Sequence, residues 1–256
     1  TRLIHDFILR SARLAPDAEA LVDGQARISY GALASQLESV AAGLAARGLE
    51  AGGRVAIYLD KNVENVASMF GATLAGGVFV PLNAQLKAPQ VAHILADCQA
   101  RVLVTSNARL RTLAAALGDC ADLKLVVVTG SGERAVLPAH VTVVGWDEFL
   151  AHPASAAPHP VRIDADIAAI LYTSGSTGSP KGVVLSHRNL VAGAESVASY
   201  LGNTAADRIL AVLPLSFDYG LSQLTTAFSV GATAVLINYL LPRDILDAVQ
   251  AERVQR

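Results

Sequence analysis

The stretch Ile170-Leu-Tyr-Thr-Ser-Gly-Ser-Thr-Gly-Ser-Pro-Lys-Gly-Val-Val-Leu-Ser-His-Arg-Asn189 decides how the rest of the chain is read. Ala168 to Tyr172 form an apolar run of strand length, and Val183 to Leu185 form a second. Between them Thr173, Ser174, Gly175, Ser176, Thr177, Gly178 and Ser179 are all small, and Pro180, Lys181 and Gly182 follow. Ser186 then reads as the N-cap of a helix. A loop this poor in side-chain bulk lets a ligand approach the backbone. Its N–H groups and hydroxyls form a dense field of donors, to which Lys181 adds a mobile positive charge. Phosphate oxygens are the ligand that such a set of groups suits best.

Two other readings fit less well. The ordinary P-loop needs four residues between its first glycine and a Gly-Lys-Ser/Thr end, whereas Lys181 follows Pro180 and precedes Gly182. A flexible Ser/Gly linker would not be clamped between two apolar strands, and a Pro-Lys-Gly turn has no purpose in one.

Tyr172 to Gly182 closely resembles the phosphate-loop signature of the adenylate-forming superfamily, which includes acyl- and aryl-CoA synthetases, luciferases and the adenylation domains of peptide synthetases. Ser176 stands where many members carry threonine, and the hydroxyl is kept. The resemblance implies that Thr173, Ser174, Gly175, Ser176, Thr177, Gly178 and Lys181 bind ATP. It implies an α/β fold: a large amino-terminal domain with parallel-rich sheets covered by helices. The implied reaction has two halves. A carboxylate oxygen attacks the α-phosphorus of ATP, giving an acyl-adenylate and pyrophosphate, and a thiol then displaces AMP. ATP, Mg2+ and coenzyme A are therefore the implied cofactors, with a carrier protein as the alternative thiol. The resemblance further implies that residues 1–256 are a partial AMP-binding domain, incomplete at the carboxyl end. Members continue with adenine, ribose and magnesium positions and a carboxy-terminal domain, so the catalytic lysine is expected beyond Arg256 and the metal ligands are left unassigned.

Length and composition agree with a well-buried α/β protein. The chain has 256 residues, of which 52% are hydrophobic and 16% charged, enough for one large domain or two subdomains. Net charge is −2 and no basic run occurs, so nucleic acid is not an expected partner. Cys98 and Cys120 lack metal or disulfide spacing and read as buried thiols in a reducing compartment. Thr1 to Asp6 lack the flank and apolar core of a signal peptide. Asn65 to Leu82, interrupted by Gly76-Gly77 and ended by Pro81, reads as a buried helix turning into a buried strand rather than a membrane span. A cytoplasmic protein is expected.

The periodicity predicts a helix over Leu3 to Leu14, a hairpin over Ala20 to Tyr30, and a long helix beginning at Ser29 or Tyr30 and closed by Gly48. Strands at Val55–Leu59, Val78–Val80, Val102–Thr105 and Leu125–Val128 then alternate with helices at Val63–Leu74, Pro89–Cys98 and Ala108–Leu117. Such alternation argues for a parallel sheet covered on both faces. No glycine-rich dinucleotide fingerprint follows an early strand. Val141–Val144 reads as a strand and Trp146–Leu150 as a short helix. His152 to Pro160, with three prolines, three alanines and two histidines, is the best linker candidate. His152 and His159 read as solvated residues rather than metal ligands, and Asp164-Ala165-Asp166 as a turn. His187–Leu201 is predicted helical, Ile209–Leu213 a strand, Leu221–Val230 a helix, Thr233–Ile237 a strand and Arg243–Val254 an amphipathic helix. His187 reads as a support of the loop rather than a catalytic base.

Leu213 to Leu221 follows a strand and precedes a helix, so it can face the phosphate loop across the carboxyl ends of the strands. By resemblance, Phe217, Asp218, Tyr219 and Gly220 line the substrate pocket. Many CoA ligases have an aromatic or histidine near Phe217. Amino-acid-activating domains carry a Phe-Asp pair whose carboxylate holds the substrate ammonium. Phe217-Asp218 matches that pair, while Tyr219-Gly220 matches the CoA-ligase side. From the residues alone, Asp218 reads equally as a helix N-cap and Phe217 as a core aromatic. The resulting expectation is an AMP-forming acyl-CoA ligase. An amino-acid-adenylating enzyme that loads a carrier-protein thiol is the alternative, and a non-catalytic nucleotide-binding module is the reading from another class.

Overall fold

A computed structural model describes residues 2–132, 135–151, 159–173 and 180–255. Strands and helices alternate through β1 (Glu19–Asp23), β2 (Ala26–Ser29), β3 (Arg54–Tyr58), β4 (Val78–Pro81), β5 (Val102–Ser106), β6 (Leu125–Thr129), β7 (Thr142–Gly145), β8 (Ile167–Thr173), β9 (Lys181–Ser186), β10 (Arg208–Ala211) and β11 (Thr233–Leu236). The helices are α1 (Asp6–Leu14), α2 (Tyr30–Ala46), α3 (Val63–Leu74), α4 (Ala88–Asp97), α5 (Asn107–Leu113), α6 (Trp146–Leu150), α7 (His187–Leu201), α8 (Asp218–Val230) and α9 (Pro242–Glu252). The predicted helix over Ala108–Leu117 divides into α5 and a 3-10 segment, Ala114–Asp119.

Two parallel-rich sheets result, as the resemblance implies, where the alternation alone argues for one. The larger has seven strands in the order β7-β6-β5-β3-β4-β8-β9, and only the β8–β9 pair is antiparallel. The smaller has four, β10-β11-β1-β2, with the hairpin β1–β2 as its antiparallel pair. Side-chain alternation along β3 divides the core. Val55 and Ile57 join the large central cluster, where α1, α2, α3, α7 and α8 lie between the sheets. Ala56 and Tyr58 face the second cluster, under α4 and α5. Ile245 and Ala248 of α9 pack on the outer face of the small sheet, against Val22, Leu210 and Val235. Helices cover both faces of both sheets, which is why the strands read as nearly continuous apolar runs.

The chain runs from β3 to β4 on one side and then crosses back to β5 on the other, with α3 and α4 on opposite faces. Strand order thus reverses about β3. Such a reversal opens a crevice at the carboxyl ends of the strands. Side-chain caps fix the helix starts: Ser29 accepts from the Ala32 N–H at 3.2 Å, Asn62 from Asn65 at 2.8 Å and Ser186 from Asn189 at 3.2 Å. Of the expected connection His152 to Pro160, residues 152–158 lie outside those described. Asp164 and Asp166 do form a turn, which ties to the start of α7 through Arg188 N to Asp164 O at 2.7 Å and His187 N to Asp166 O at 3.0 Å.

Candidate active site

The carboxyl ends of parallel strands from both sheets open onto one cavity of about 590 Å3. Leu59 to Lys61 after β3, Pro81 at the end of β4 and Leu82 to Gln85 after it, Val212 and Pro214 to Ser216 after β10, and Ile237 to Leu240 after β11 line it. Pro81, Leu82 and Asn83 also wall an adjoining cavity of about 250 Å3, completed by Tyr172, Thr173, Pro180 and Phe217. Within this smaller cavity Thr173 and Pro180 meet Phe217, the last residue before α8. The Tyr172 hydroxyl donates to the Asp97 carboxylate, which fixes one wall.

Thr173 ends β8 and lies opposite Lys181, the first residue of β9, in the antiparallel register. That pairing sets Thr173, which lines the cavity, opposite Lys181, both exposed at the carboxyl end of a parallel sheet. The remaining candidates of this stretch, Ser174, Gly175, Ser176, Thr177 and Gly178, lie outside the described residues. A hydroxyl and an ammonium at this edge, where ligands of open α/β sheets bind, fit a polyphosphate.

The second segment departs from expectation in four ways. Its strand ends at Ala211, two residues early, and its helix starts at Asp218, three residues before the apolar periodicity begins. Phe217, not Asp218, holds the N-cap position, and no side chain caps this helix. The cap reading of Asp218 is therefore corrected: its carboxylate occupies the first helical turn, exposed, where it complements the helix dipole. Phe217 is not a core aromatic either, being 42% exposed with its ring on the 250 Å3 cavity.

Asp218 faces a separate small cleft between α7 and α8, with Asn189, Leu190, Leu221 and Ser222. Tyr219 is 78% exposed. Gly220 has a packing reason of its own: a Cβ there would lie 2.0 Å from the Pro214 carbonyl oxygen, so only glycine lets the loop close onto the helix. The structure thus brings together Thr173 and Phe217, and sets Asp218 in the neighbouring cleft.

Among the described residues, His187 supports the amino-terminal segment. It is buried, and its Nδ1 accepts from the Ile4 N–H at 3.1 Å. His5 stands edge-on to it at 5.9 Å and shares a 3.0 Å hydrogen bond with Thr73 Oγ1. Burial pushes both imidazoles down to about 4, against the nearby carboxylates of Asp6 and Asp166.

One group at the crevice carries no sequence motif. Lys61 is only 9% exposed, and its ammonium donates to the carbonyls of Ala211 at 2.8 Å, Val212 at 2.6 Å and Leu213 at 3.5 Å. Burial pushes its pKa down to about 8. A lysine directly after an apolar strand, in Leu59-Asp60-Lys61-Asn62, was the only available signal. Among the described residues no group of three His, Cys, Asp or Glu could hold a metal ion, and no helix is long and apolar enough to cross a membrane.

Residues 8–255 match the family of AMP-binding enzymes. The chain is a member of that family. It is 35% identical over its whole length to pyochelin synthetase PchE of Pseudomonas aeruginosa, covering 16% of that protein. Identity to feruloyl-CoA synthase of an Amycolatopsis species is 33%, over 96% of this chain and 46% of that one. Identity to the L-proline–[L-prolyl-carrier protein] ligase of Pseudomonas fluorescens is 31%, over 99% of this chain and 49% of that one. Among solved structures, the anthranilate CoA ligase AuaEII bound to anthranoyl-AMP superposes with a TM-score of 0.89 at 25% identity, covering 98% of this chain and 48% of that one. The chain spans at most about half the length of these relatives.

Proposed function

We propose that the protein is an AMP-forming acyl-CoA ligase and that residues 1–256 are the amino-terminal part of its AMP-binding domain, with a connection near residues 152–160. One observation carries the reading: the hydroxyl-rich stretch, through Thr173 and Pro180, and the loop before α8, through Phe217, wall the same 250 Å3 cavity. An acid lying against the Phe217 ring reaches the edge where Thr173 and Lys181 stand. In-line attack of its carboxylate oxygen on the α-phosphorus forms the acyl–phosphate bond and expels pyrophosphate. The Lys181 ammonium and the hydroxyls and N–H groups of Thr173, Ser174, Gly175, Ser176, Thr177 and Gly178 neutralise the charge that builds on the leaving group. Mg2+ would enter with the phosphates of ATP, as it does at sites that supply few protein ligands. The thiol of coenzyme A then attacks the acyl carbon and AMP leaves.

Loading of an amino acid onto a carrier-protein thiol is a second reading, favoured by one feature: the unburied Asp218 carboxylate beside the α7–α8 cleft could meet an ammonium. A single experiment tests both. Exchange of labelled pyrophosphate into ATP is measured on the full-length protein with fatty, aryl and amino acids, followed by acyl transfer to coenzyme A or to a carrier protein. Exchange with a fatty or aryl acid and transfer to coenzyme A is the expected result. Absence of exchange with every acid would leave a nucleotide-binding module.

A further inference from the structure

Lys61 is a buried cation whose ammonium, among the described residues, donates only to backbone carbonyls. It follows β3 of the seven-stranded sheet, yet its three acceptors, Ala211, Val212 and Leu213, lie at the carboxyl end of β10 in the other sheet. The same residue is tied by its backbone: Asn238 Oδ1 accepts from Lys61 N at 3.1 Å, and Asn238 Nδ2 donates to Lys61 O at 2.7 Å. Asn238 follows β11, so Lys61 joins the ends of three strands. From the opposite side Gln223 of α8 holds the same loop, accepting from Leu213 N at 3.1 Å and donating to Leu210 O at 2.7 Å. The loop clamped in this way runs on through Pro214 and Ser216 to Phe217.

A lone ammonium is costly to bury, and hydrophobic packing at this position would be cheaper if stability alone were served. What the ammonium supplies is reach and three donors for carbonyls whose strand has just ended. We propose that Lys61 is a positioning residue for the acid-binding loop, holding Leu213 to Phe217 of one sheet at a fixed distance from Thr173 and Pro180 of the other. This rests on the ligase reading above.

The charged groups around Lys61 leave its role distinct. Asp60 pairs with Arg109 of α5 at 2.6 Å. The Asp23 carboxylate at the end of β1 accepts from Val63 N at 3.2 Å, Glu64 lies in the first turn of α3, and Tyr239 lines the far wall. The ammonium loses its proton as pH rises through about 8. A neutral amine keeps two hydrogens and turns a lone pair to the third carbonyl, so the clamp loosens on the alkaline side.

The test uses the full-length enzyme, with KM for the acid and kcat of pyrophosphate exchange followed from pH 6.5 to 9.5. Wild type should show KM rising ~10-fold above about pH 8 with little change in kcat, the equivalent of ~1.4 kcal/mol in acid binding. Lys61→Arg, charged at every pH used, should give a flat KM profile, and Lys61→Met a high, flat one. Hydrogen exchange should speed up in the peptide spanning 208–221 of Lys61→Met, while β3 to β5 stay protected. KM independent of pH in wild type and unchanged in a folded Lys61→Met would overturn the proposal, as would uniformly faster exchange across the chain. Should Lys61→Met not fold, the wild-type and Lys61→Arg pH profiles decide. Wild type inactive with all acids sinks the ligase reading, and the positioning role with it.

Discussion

At the scale of single residues, Lys181 and Asp218 separate chemistry from scaffold. Lys181 is exposed at the start of β9 and contributes little packing. One charge-assisted contact to phosphate is worth ~1.5–3 kcal/mol. Lys181→Ala in the full-length enzyme should therefore slow pyrophosphate exchange roughly ten- to a hundredfold while thermal stability hardly moves. An unchanged rate with a large loss of stability would make it a scaffold residue. Asp218 now has a different account from the capping one, since Phe217 takes the N-cap position. Its charge at the first turn of α8 is worth ~0.3–1 kcal/mol at an exposed site, so Asp218→Asn should cost no more than that in stability. With a fatty or aryl acid, exchange should change less than ~threefold, because no substrate charge is lost. If an amino acid is the substrate, its ammonium is stranded in the variant. Exchange with an amino acid that falls a hundredfold or more would move the enzyme to the carrier-loading branch. In the sequence the hydroxyl-rich stretch was legible as a candidate ligand loop, because small side chains and Pro-Lys-Gly mark it. Lys61 was not, because its partners are carbonyls at positions 211 to 213, and backbone acceptors leave no trace in sequence.

At the scale of elements, helix boundaries were legible at α3 and α7, where a capping side chain marks the start. The predicted Val63–Leu74 and His187–Leu201 coincide with α3 and α7, whose N-caps Asn62 and Ser186 mark their starts. Helix α8 begins without a capping side chain, and its first turn, Asp218-Tyr219-Gly220, is outside the apolar periodicity. That is why the sequence reading starts it at Leu221. Close helix contact is less visible still. Between the sheets α2 crosses α3 at Gly71, where a Cβ would lie 2.6 Å from Val40 Cγ1 and 3.1 Å from the Leu37 carbonyl oxygen. Gly71→Ala gains ~1 kcal/mol in helix propensity. It also overpacks a site whose neighbours are a β-branched side chain and fixed backbone, at ~1–3 kcal/mol or more. We expect a net loss in urea denaturation, partly restored by the added Val40→Ala. A stabilised Gly71→Ala would show that the helices separate freely there.

At the scale of the whole molecule, strand pairing across the chain was the least legible feature. Alternation of strands and helices predicts parallel sheets, but not that β1, near the amino terminus, pairs with β11 to form a second one. Local pattern carries no register for partners so far apart. The same long-range closure is made on another side by two buried histidines, and it should give the fold an acid limit. The Thr73 hydroxyl donates to Phe70 O at 2.8 Å, so the 3.0 Å bond from His5 Nδ1 must carry the imidazole proton. His187 Nδ1 accepts from Ile4 N and must be unprotonated. Both pKa values fall to about 4, below the ordinary 6.5 of the unfolded chain. Between those two values the unfolded state binds more protons, so stability is intact above pH 6.5 and is lost as pH falls toward 4. For one such histidine the loss between pH 7 and 5 is about 2 kcal/mol, and for the facing pair somewhat less than twice that. Protonating His187 also sets an N–H against the Ile4 N–H, which should free the segment before α1 first. His187→Asn supplies an amide oxygen in place of Nδ1 and cannot titrate. Urea midpoints at pH 7 and pH 5 should therefore differ about half as much in His187→Asn as in wild type, with hydrogen exchange at residues 2–8 no longer accelerated by acid. An equal pH dependence in the two proteins would assign the acid sensitivity to groups other than His187.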